Sequence, residues 1–375
     1  MREKGLAGTF WPSRRTRLVL LTALAEPERA LEAWRELRPD LDLQTIEDTA
    51  FTALPLVYRR LEEAGVDDPD LPRLKGIYRN TWVRNTLLLE RLRETVDACR
   101  SAELPVLLVG SIGAAVRHYD TLGLRPTGYL ELLVPEEGLL RAVRALGGAG
   151  WSTRGRSRSE RAAPLVLYDD GGVLCLLRTR LAPDFVAPDA QAEAPFWAGA
   201  RDVDLSGIRV RALAPGDDLL AAIVCGARAS PIPSIQWIVD AAMILRGSEE
   251  VDWTRLCRLA VERGQGLRVR DALEYVGRVA GRRAAPEVVD LLDAWRPSRR
   301  ERIVHACTAR RVPWLGSFPQ AVGEHLAATA GRSSLATAAA FPAFLRERWG
   351  VKRAWQLPIA GGRRAVRNLV RGRTG

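Results

Sequence analysis

The stretch LPVLLVGSIGAAVRHYDTLGLRPTGYLELLV, from Leu104 to Val134, decides the fold of this 375-residue chain. Its apolar run Leu104–Val109 predicts a buried strand that breaks at Gly110, and a helix-like segment follows. A second apolar run, Tyr129–Val134, comes after a turn marked by glycine and proline and predicts another strand. The order strand, glycine turn, helix, strand allows backbone N–H groups and a helix N-terminus to face an anion.

The pattern downstream extends this unit into a small mixed sheet. A helix is expected from Glu136 to Gly148, and the segments Leu165–Tyr168 and Val173–Leu177 predict a β-hairpin around an Asp-Asp-Gly-Gly turn. A further short strand pair is expected near Val203 and over Ile208–Leu213. The predicted fold class is α+β: a small mixed sheet with helices, between an N-terminal helical region and a C-terminal helical domain.

Apolar residues at three- and four-residue spacing predict helices on both sides of this sheet. Before it, helices are expected over Leu18–Leu37, Leu43–Ala64 and Tyr78–Arg100. After it, they are expected near Ile235–Leu245, Trp253–Glu262, Leu267–Ala280, Pro286–Ala294, Arg299–Arg310 and Ser333–Arg348. The expected organisation is a helical region over 1–103, an α/β core over 104–214, a helical domain over 215–350 and a basic tail over 351–375.

The charge balance is strongly basic, with a net charge of +11 and a pI near 10.1. Such a balance is compatible with nucleic acid, anionic lipid or an acidic protein as partner. Only Lys4, Lys75 and Lys352 are lysines, and so one-sided a use of arginine is more typical of a genomic coding bias than of a dedicated nucleic-acid surface. The Arg-rich stretch Arg154–Arg161 and the basic tail are expected to be solvated charge runs.

The metal-binding and redox motifs built on Cys and His do not occur in this sequence. The cysteines are five, an odd number, with no CxxC pair, and the three histidines have no ligand spacing. Buried, reduced thiols in a cytoplasmic protein are the expected arrangement. No apolar run approaches the roughly 20 residues that a membrane span needs.

Four motifs together carry a resemblance to a known family. They are Val109-Gly110-Ser111, the run Leu124–Val134 (LRPTGYLELLV), Leu176-Leu177-Arg178-Thr179 and Gln236-Trp237-Ile238-Val239-Asp240. With these motifs the chain resembles the uncharacterised, bacterial-type nucleotidyltransferases of the polymerase-β-like superfamily. The resemblance runs over most of the length and implies a nucleotidyltransferase-like core.

The resemblance also implies where catalytic groups would stand. Enzymes of this superfamily hold Mg²⁺ and a nucleoside triphosphate with two carboxylates at alternate positions of one strand and a third on a neighbouring strand. The corresponding positions here are Tyr129, Glu131 and Leu176, so only Glu131 carries a carboxylate. The family's lysine and histidine positions carry Val109 and Arg178.

Three interpretations stay open at this point. The favoured one is a catalytically impaired homologue, a pseudoenzyme, that retains a nucleotide- or phosphate-binding frame and acts as an accessory or partner-binding protein. The frame consists of Gly110, Ser111, Arg125 and Arg178, with Glu131 as the single candidate catalytic residue, and no metal ligand set is assigned.

An active transferase with Mg²⁺ and a nucleoside triphosphate is the second interpretation. It would use Glu131 with replacement ligands drawn from Asp120, Glu136, Asp169 and Asp170, although the last two are more typical of turn formers. A basic RNA- or protein-interaction module, with nucleic acid bound by the tail, is the third.

Plain structural roles compete with each functional role. Gly110 would then be an ordinary turn glycine, Arg125 a solvated arginine of a turn, and Glu131 an exposed strand carboxylate. Trp237 and Asp240 are expected to provide helix packing together with a cap or a buried ion pair.

Overall fold

The structure is a computed structural model that describes residues 11–43, 46, 48–153, 164–182, 185, 193–228, 234–247, 250–281, 288, 290–292, 295–309, 318–351 and 353–371. Two sequence predictions concern residues outside these ranges. The Arg-rich stretch Arg154–Arg161 lies entirely outside them, and most of the predicted helix Pro286–Ala294 does too.

The described strands form one six-stranded mixed sheet. They are β1 Leu107–Leu108, β2 Tyr129–Leu133, β3 Leu165–Tyr168, β4 Leu174–Arg178, β5 Arg201–Leu205 and β6 Ile208–Ala212. Their order in the sheet is β3-β4-β2-β1-β6-β5. The pairs β2–β4 and β1–β6 are parallel, and the other three pairs are antiparallel. The predicted strand frame, hairpin and additional strand pair are confirmed.

The helices before and within the sheet begin close to proline residues in several cases. They are α1 Arg14–Leu24, α2 Pro27–Leu37, α3 Asp48–Phe51, α4 Leu54–Glu63, α5 Leu71–Ser101, α6 Ser111–His118, α7 Leu139–Gly148 and α8 Ala194–Gly199. The single helix expected over Leu18–Leu37 is wrong, because Pro27 starts a new helix where its missing N–H costs nothing. For the same reason Pro55 and Pro72 stand in the first turns of α4 and α5.

The helices after the sheet are α9 Pro215–Gly226, α10 Gln236–Arg246, α11 Trp253–Glu262, α12 Gly266–Ala280, α13 Arg299–Ala309, α14 Phe318–Ala328, α15 Ser334–Trp349 and α16 Gln356–Arg371. The sequence prediction missed α14, and it treated the segment of α16 only as a basic tail. The α+β class with helical regions on either side of the sheet is confirmed. None of the helices in the described part of the chain is long and apolar enough to cross a membrane.

The sheet separates two hydrophobic clusters. Leu108, Leu130 and Leu132 belong to a cluster formed with the second half of α5 and with α7. Leu107 and Leu133 belong to a larger cluster that combines helices from both ends of the chain, among them α1, α4, α9, α10 and α12. Successive residues of a strand point to opposite faces, which explains this division. The predicted domain boundaries stay a prediction.

Candidate functional site

The carboxylate of Glu131 lies at the end of the sheet where β1 passes into α6. Glu131 is the third residue of β2 and is only 8% exposed. Arg178, the last residue of β4, donates its Nε–H to this carboxylate. The ion pair follows from the parallel register, in which Glu131 lies opposite Leu176 and Arg178 lies one pleat further along, on the same face.

Gly110 completes this cluster from the side of β1. Its φ of +49° lies in the region that favours glycine, and a Cβ at this position would lie 3.2 Å from Oε2 of Glu131. Its neighbour Ser111 is the first residue of α6. The strand-to-helix turn therefore approaches the Glu131 carboxylate closely, and any side chain at Gly110 would intrude on it.

The guanidinium of Arg178 stays protonated in this position. Burial lowers the pKa of the guanidinium, but the adjacent Glu131 carboxylate, with smaller contributions from Cys225 and Tyr129, raises the pKa above its ordinary value. Within the described residues, the hydrogen bond of Arg178 uses Nε, and its side chain is 17% exposed. An arginine that is paired through Nε has further N–H donors on its Nη groups.

A second ion pair, more deeply buried, joins the turn before β2 to α10. Arg125 donates from Nε and Nη2 to the two carboxylate oxygens of Asp240, both at 2.8 Å. Tyr119 donates its hydroxyl to Asp240 at 2.5 Å, and Gln236 donates from Nε2 at 2.9 Å. Burial would raise the pKa of Asp240, yet Arg125 and these hydrogen bonds lower it below its ordinary value.

The backbone that carries Arg125 is anchored from α5. Asn85, which is fully buried, donates from Nδ2 to the carbonyl oxygens of Leu122 at 2.7 Å and Arg125 at 2.8 Å. The hydroxyl group of Tyr78, also in α5, lies 3.0 Å from that of Thr121 in the same turn as Arg125. Arg125 is therefore fixed through both its backbone and its side chain.

Tyr129 lies within electrostatic reach of both ion pairs. The pKa of its phenol is raised to about 12, mainly by burial and also by Glu131, whereas Arg125 and Arg178 lower it. At this pKa the phenol is neutral at physiological pH. Tyr129 is thus a neutral phenol under the electrostatic influence of two paired arginines.

A third group of charges connects α6 to the first turn of α9. Arg117 donates to Asp218, and Nε2 of His118 lies 3.1 Å from the same carboxylate. The neighbouring carboxylate of Asp217 is fully buried and binds Arg255 of α11 at 2.8 Å. These pairs fix the helix that follows Gly110 against the helical region, and so they position the strand-to-helix turn.

The structure brings three of the five sequence-predicted residues into contact, with Ser111 next to Gly110 in the chain, and engages Arg125 elsewhere. Gly110, Glu131 and Arg178 form one cluster with Ser111 beside it, whereas Arg125 is engaged by Asp240. Glu131 is not an exposed strand carboxylate, and Arg125, at 5% exposed, is not a solvated turn arginine. The buried ion pair expected as one role for Asp240 is present.

The replacement ligands considered for an active enzyme lie apart from this cluster. Asp120 and Glu136 are exposed. Asp169 accepts a hydrogen bond from the backbone of Val173 at 2.8 Å and pairs with Arg91, which confirms its interpretation as a turn former. Across the described ranges, no group of three or more His, Cys, Asp or Glu side chains is arranged to hold a metal ion.

Sequence reasoning missed the roles of Tyr119 and Gln236, which complete the environment of Asp240. The spacing of Gln236 and Asp240, one helical turn apart, was an available signal because i and i+4 side chains meet on one helix face. Tyr119 carried no comparable signal, since it lies 121 positions from Asp240 in the chain.

The fold and the strand-end cluster define a mixed α+β protein with a nucleotidyltransferase-like arrangement of strand, glycine turn and helix. Residues 51–283 match the model of a family described as uncharacterised nucleotidyltransferase, and the chain belongs to this family. The match includes the whole sheet and its strand-end cluster.

Comparison with solved structures finds a crystal structure of an antigenic nucleotidyltransferase-like protein from Paracoccidioides brasiliensis. It is 15% identical, covers 53% of this chain and 90% of that chain, and has a TM-score of 0.31. No curated protein matches the chain.

Proposed function

We propose that this member of the nucleotidyltransferase family binds a nucleotide or another phosphate ester without performing metal-dependent nucleotidyl transfer. It then acts as an accessory or partner-binding protein, a pseudoenzyme with a retained phosphate frame. The observation that carries the proposal is the ion pair between Glu131 and Arg178. In this pair an arginine neutralises the one carboxylate on β2, the strand that would bind the metal ion in an active enzyme.

The side chains at the implied catalytic positions do not fit Mg²⁺. Tyr129 and Glu131 stand at alternate positions of β2, and Leu176 lies directly opposite Glu131 on β4. Three carboxylates at these positions would converge on one face of the sheet, whereas here a phenol and an alkyl side chain accompany Glu131. A single carboxylate that is already neutralised by a guanidinium provides too few oxygen ligands for an octahedral ion that gives up water reluctantly.

The groups that favour a phosphate are present at the same place. Helix α6 begins at Ser111, directly after the Gly110 turn that approaches the Glu131 carboxylate, and Arg178 uses Nε in its hydrogen bond with Glu131. Helix N-termini and arginine N–H groups are favoured partners of a phosphate. Gly110 leaves room for close approach of an oxyanion to the backbone. The proposal rests on Gly110 and Arg178, while a phosphate role for Ser111 and Arg125 stays a prediction.

Titration calorimetry with ATP, GTP and CTP, each with and without Mg²⁺, tests the proposal. We expect binding that does not need Mg²⁺ and no release of pyrophosphate. Arg178→Gln should weaken this binding by roughly 10- to 100-fold, because a charge-assisted hydrogen bond is lost. The exposed Arg144→Gln is the matched control and should leave affinity unchanged.

Glu131→Gln separates the proposal from the active alternative. In a phosphate-binding pseudoenzyme, removal of the carboxylate charge next to the phosphate should tighten binding several-fold. In an active transferase the same variant would lose Mg²⁺-dependent binding and turnover. Pyrophosphate release by the wild-type protein that disappears in Glu131→Gln would overturn the proposal, and so would a failure of all three nucleotides and of inorganic phosphate to bind.

A further inference from the structure

Helix α5 (Leu71–Ser101), with 31 residues, leaves one continuous stripe of its surface in solvent. The stripe follows the three- and four-residue spacing of one helix face. Its members are all exposed: Gly76, Arg79, Val83, Leu87, Glu90, Glu94, Asp97 and Ser101. At 1.5 Å per residue, the stripe extends over about 38 Å. The other sides of α5 pack against α4, α7 and the sheet, so this stripe is the part of the helix that a partner can reach.

The middle of this stripe is apolar. Val83 and Leu87, one helical turn apart, are 50% and 66% exposed, and Trp82 beside them is 47% exposed. A single exposed apolar side chain is common on a protein surface and needs no explanation. Three of them within two turns of one helix, with charged residues at either end, are typical of an interaction surface.

Opposite charges flank the apolar centre of the stripe. Residues 71–84 include four basic residues and no acidic one, and of these Arg79 lies on the stripe. Beyond Leu87 the charged members of the stripe are acidic: Glu90, Glu94 and Asp97. Their carboxylates are 57–63% exposed and pair with arginines three residues away on the same helix. Such exposed pairs are weak and leave carboxylate oxygens available, and Arg79 has no ion-pair partner in the described part of the chain.

We propose that α5 is the contact surface of a homodimer, in which the stripe of one copy lies antiparallel against the stripe of a second copy. A two-fold axis through the centre of the apolar patch places Val83 of one copy against Leu87 of the other. The same axis places Arg79 against Glu90, because the midpoint between these two residues coincides with the midpoint between Val83 and Leu87 to within half a residue. The stripe is therefore complementary to itself, as a two-fold contact requires.

A second copy fits this stripe better than a partner with one sign of charge. A nucleic acid or an anionic bilayer would attract the end with Arg79 but would be repelled by the acidic end. A parallel arrangement of two copies would place like charges opposite each other. The antiparallel arrangement buries both apolar centres and forms the Arg79–Glu90 contact once on each side of the axis. This proposal is independent of the strand-end cluster and of the function proposed for it.

Sedimentation equilibrium of the full chain tests the proposal. We expect a monomer–dimer equilibrium with a dissociation constant in the micromolar range, since one helix from each copy forms a small interface. The double variant Val83→Ser, Leu87→Ser should weaken dimerisation by at least about tenfold, because the apolar centre is lost. The control Ile303→Ser, Leu335→Ser removes two other exposed apolar side chains, from α13 and α15, and should dimerise as the wild type does.

Charge reversal tests the antiparallel geometry. Arg79→Glu and Glu90→Arg should each be monomeric at concentrations where the wild type is dimeric, because like charges then meet on both sides of the axis. An equimolar mixture of these two variants should form a heterodimer, since each contact between positions 79 and 90 regains opposite charges. Arg258→Glu and Glu262→Arg, in an exposed pair of α11, are the matched controls and should dimerise as the wild type does.

An unchanged unfolding midpoint in urea shows that each variant is folded. A wild type that stays monomeric up to about 100 µM overturns the proposal, because even a small specific interface would be populated there. A dimer that either the serine variant or the charge reversals leave unchanged also overturns it. Separate monomers in the mixture of Arg79→Glu and Glu90→Arg would show that these two positions do not meet across a dimer.

Discussion

Arg125 and Asp240 lie 115 residues apart in the chain and form a buried, two-point ion pair with both N···O distances at 2.8 Å. One partner stands in the turn before β2 and the other in α10, so the pair joins the sheet to the helical region. Tyr119 and Gln236 both donate further hydrogen bonds to Oδ1 of this carboxylate. A pair with this geometry is costly to break from one side, because the remaining charge is left in a dry environment.

Loss of one partner of this pair should therefore destabilise the protein strongly. We expect Asp240→Ala to lower the free energy of unfolding by about 3–5 kcal/mol, measured by urea denaturation. The double variant Arg125→Met, Asp240→Leu should lose less than the sum of the two single changes. Glu63→Ala in the exposed Arg59–Glu63 pair is the control and should cost less than about 1 kcal/mol. A small effect of Asp240→Ala would contradict this account of the pair.

A change at Gly110 should disturb the strand-end cluster specifically. Gly110→Ala introduces a side chain at a φ of +49° and within 3.2 Å of the Glu131 carboxylate, so we expect a loss of about 1–2 kcal/mol in the free energy of unfolding. Gly147→Ala in α7 is the control, because its Cβ would meet no atom within 4 Å. That change should stabilise the protein by up to about 1 kcal/mol. Equal effects of the two changes in urea denaturation would contradict the role given to Gly110.

The pH dependence of stability should include a contribution from Glu301. Burial raises the pKa of this carboxyl to about 6, against the lowering effect of hydrogen bonds from the backbone of Leu267 and Gly266 and of the nearby Arg268 charge. The folded protein therefore holds a proton that the unfolded chain releases near pH 4.5. The free energy of unfolding should fall by roughly 2 kcal/mol from this residue as pH rises from 4.5 through 6.

Comparison of Glu301→Gln with the wild type isolates this contribution from those of other titrating groups. We expect the variant to gain stability relative to the wild type as pH rises, with the full difference reached by pH 7 to 8. Glu274→Gln, at an exposed carboxylate of another helix, is the matched control substitution. Parallel stability curves for Glu301→Gln and the wild type would show that Glu301 keeps its ordinary pKa in the folded state.

Restoration of the missing carboxylates should create a metal site, since the register already places the positions side by side. In Tyr129→Asp, Leu176→Asp, two new carboxylates stand at the alternate position on β2 and opposite Glu131 on β4. We expect binding of Mn²⁺ or Mg²⁺ in titration calorimetry where the wild type binds weakly or not at all. Tyr129→Asn, Leu176→Asn introduces side chains of similar size without charge and is the matched control. Equal metal binding by the two double variants would contradict the register argument.

Several features of the strand-end cluster could be predicted from local patterns. The apolar runs around Gly110 predicted strands, and the residues at Asp169 are strong turn formers. The structure has strands and a turn at these positions. The burial of Glu131 could not be predicted in this way, because its partner Arg178 lies 47 residues away on another strand. A carboxylate in an alternating strand pattern is compatible with either exposure or pairing until its neighbours are known.

The limits of helix prediction have the same origin. The break at Pro27 and the start of α5 at Leu71 follow from the fixed φ and missing N–H of proline. A search for apolar residues with a period of 3.6 does not detect these properties. The sequence analysis treated the segment of α16 only as a basic tail, and the structure shows a helix there.

The sequence by itself determined the α+β class, the strand and turn frame from Leu104 to Val134, and the side chains at the implied catalytic positions, including Tyr129 and Leu176. Only the tertiary structure decided that Glu131 is neutralised by Arg178 and that Arg125 is held by Asp240. The physical reason is range: hydrophobic period and turn chemistry act over a few residues, whereas a buried charge is settled by groups that the fold brings to it from far along the chain.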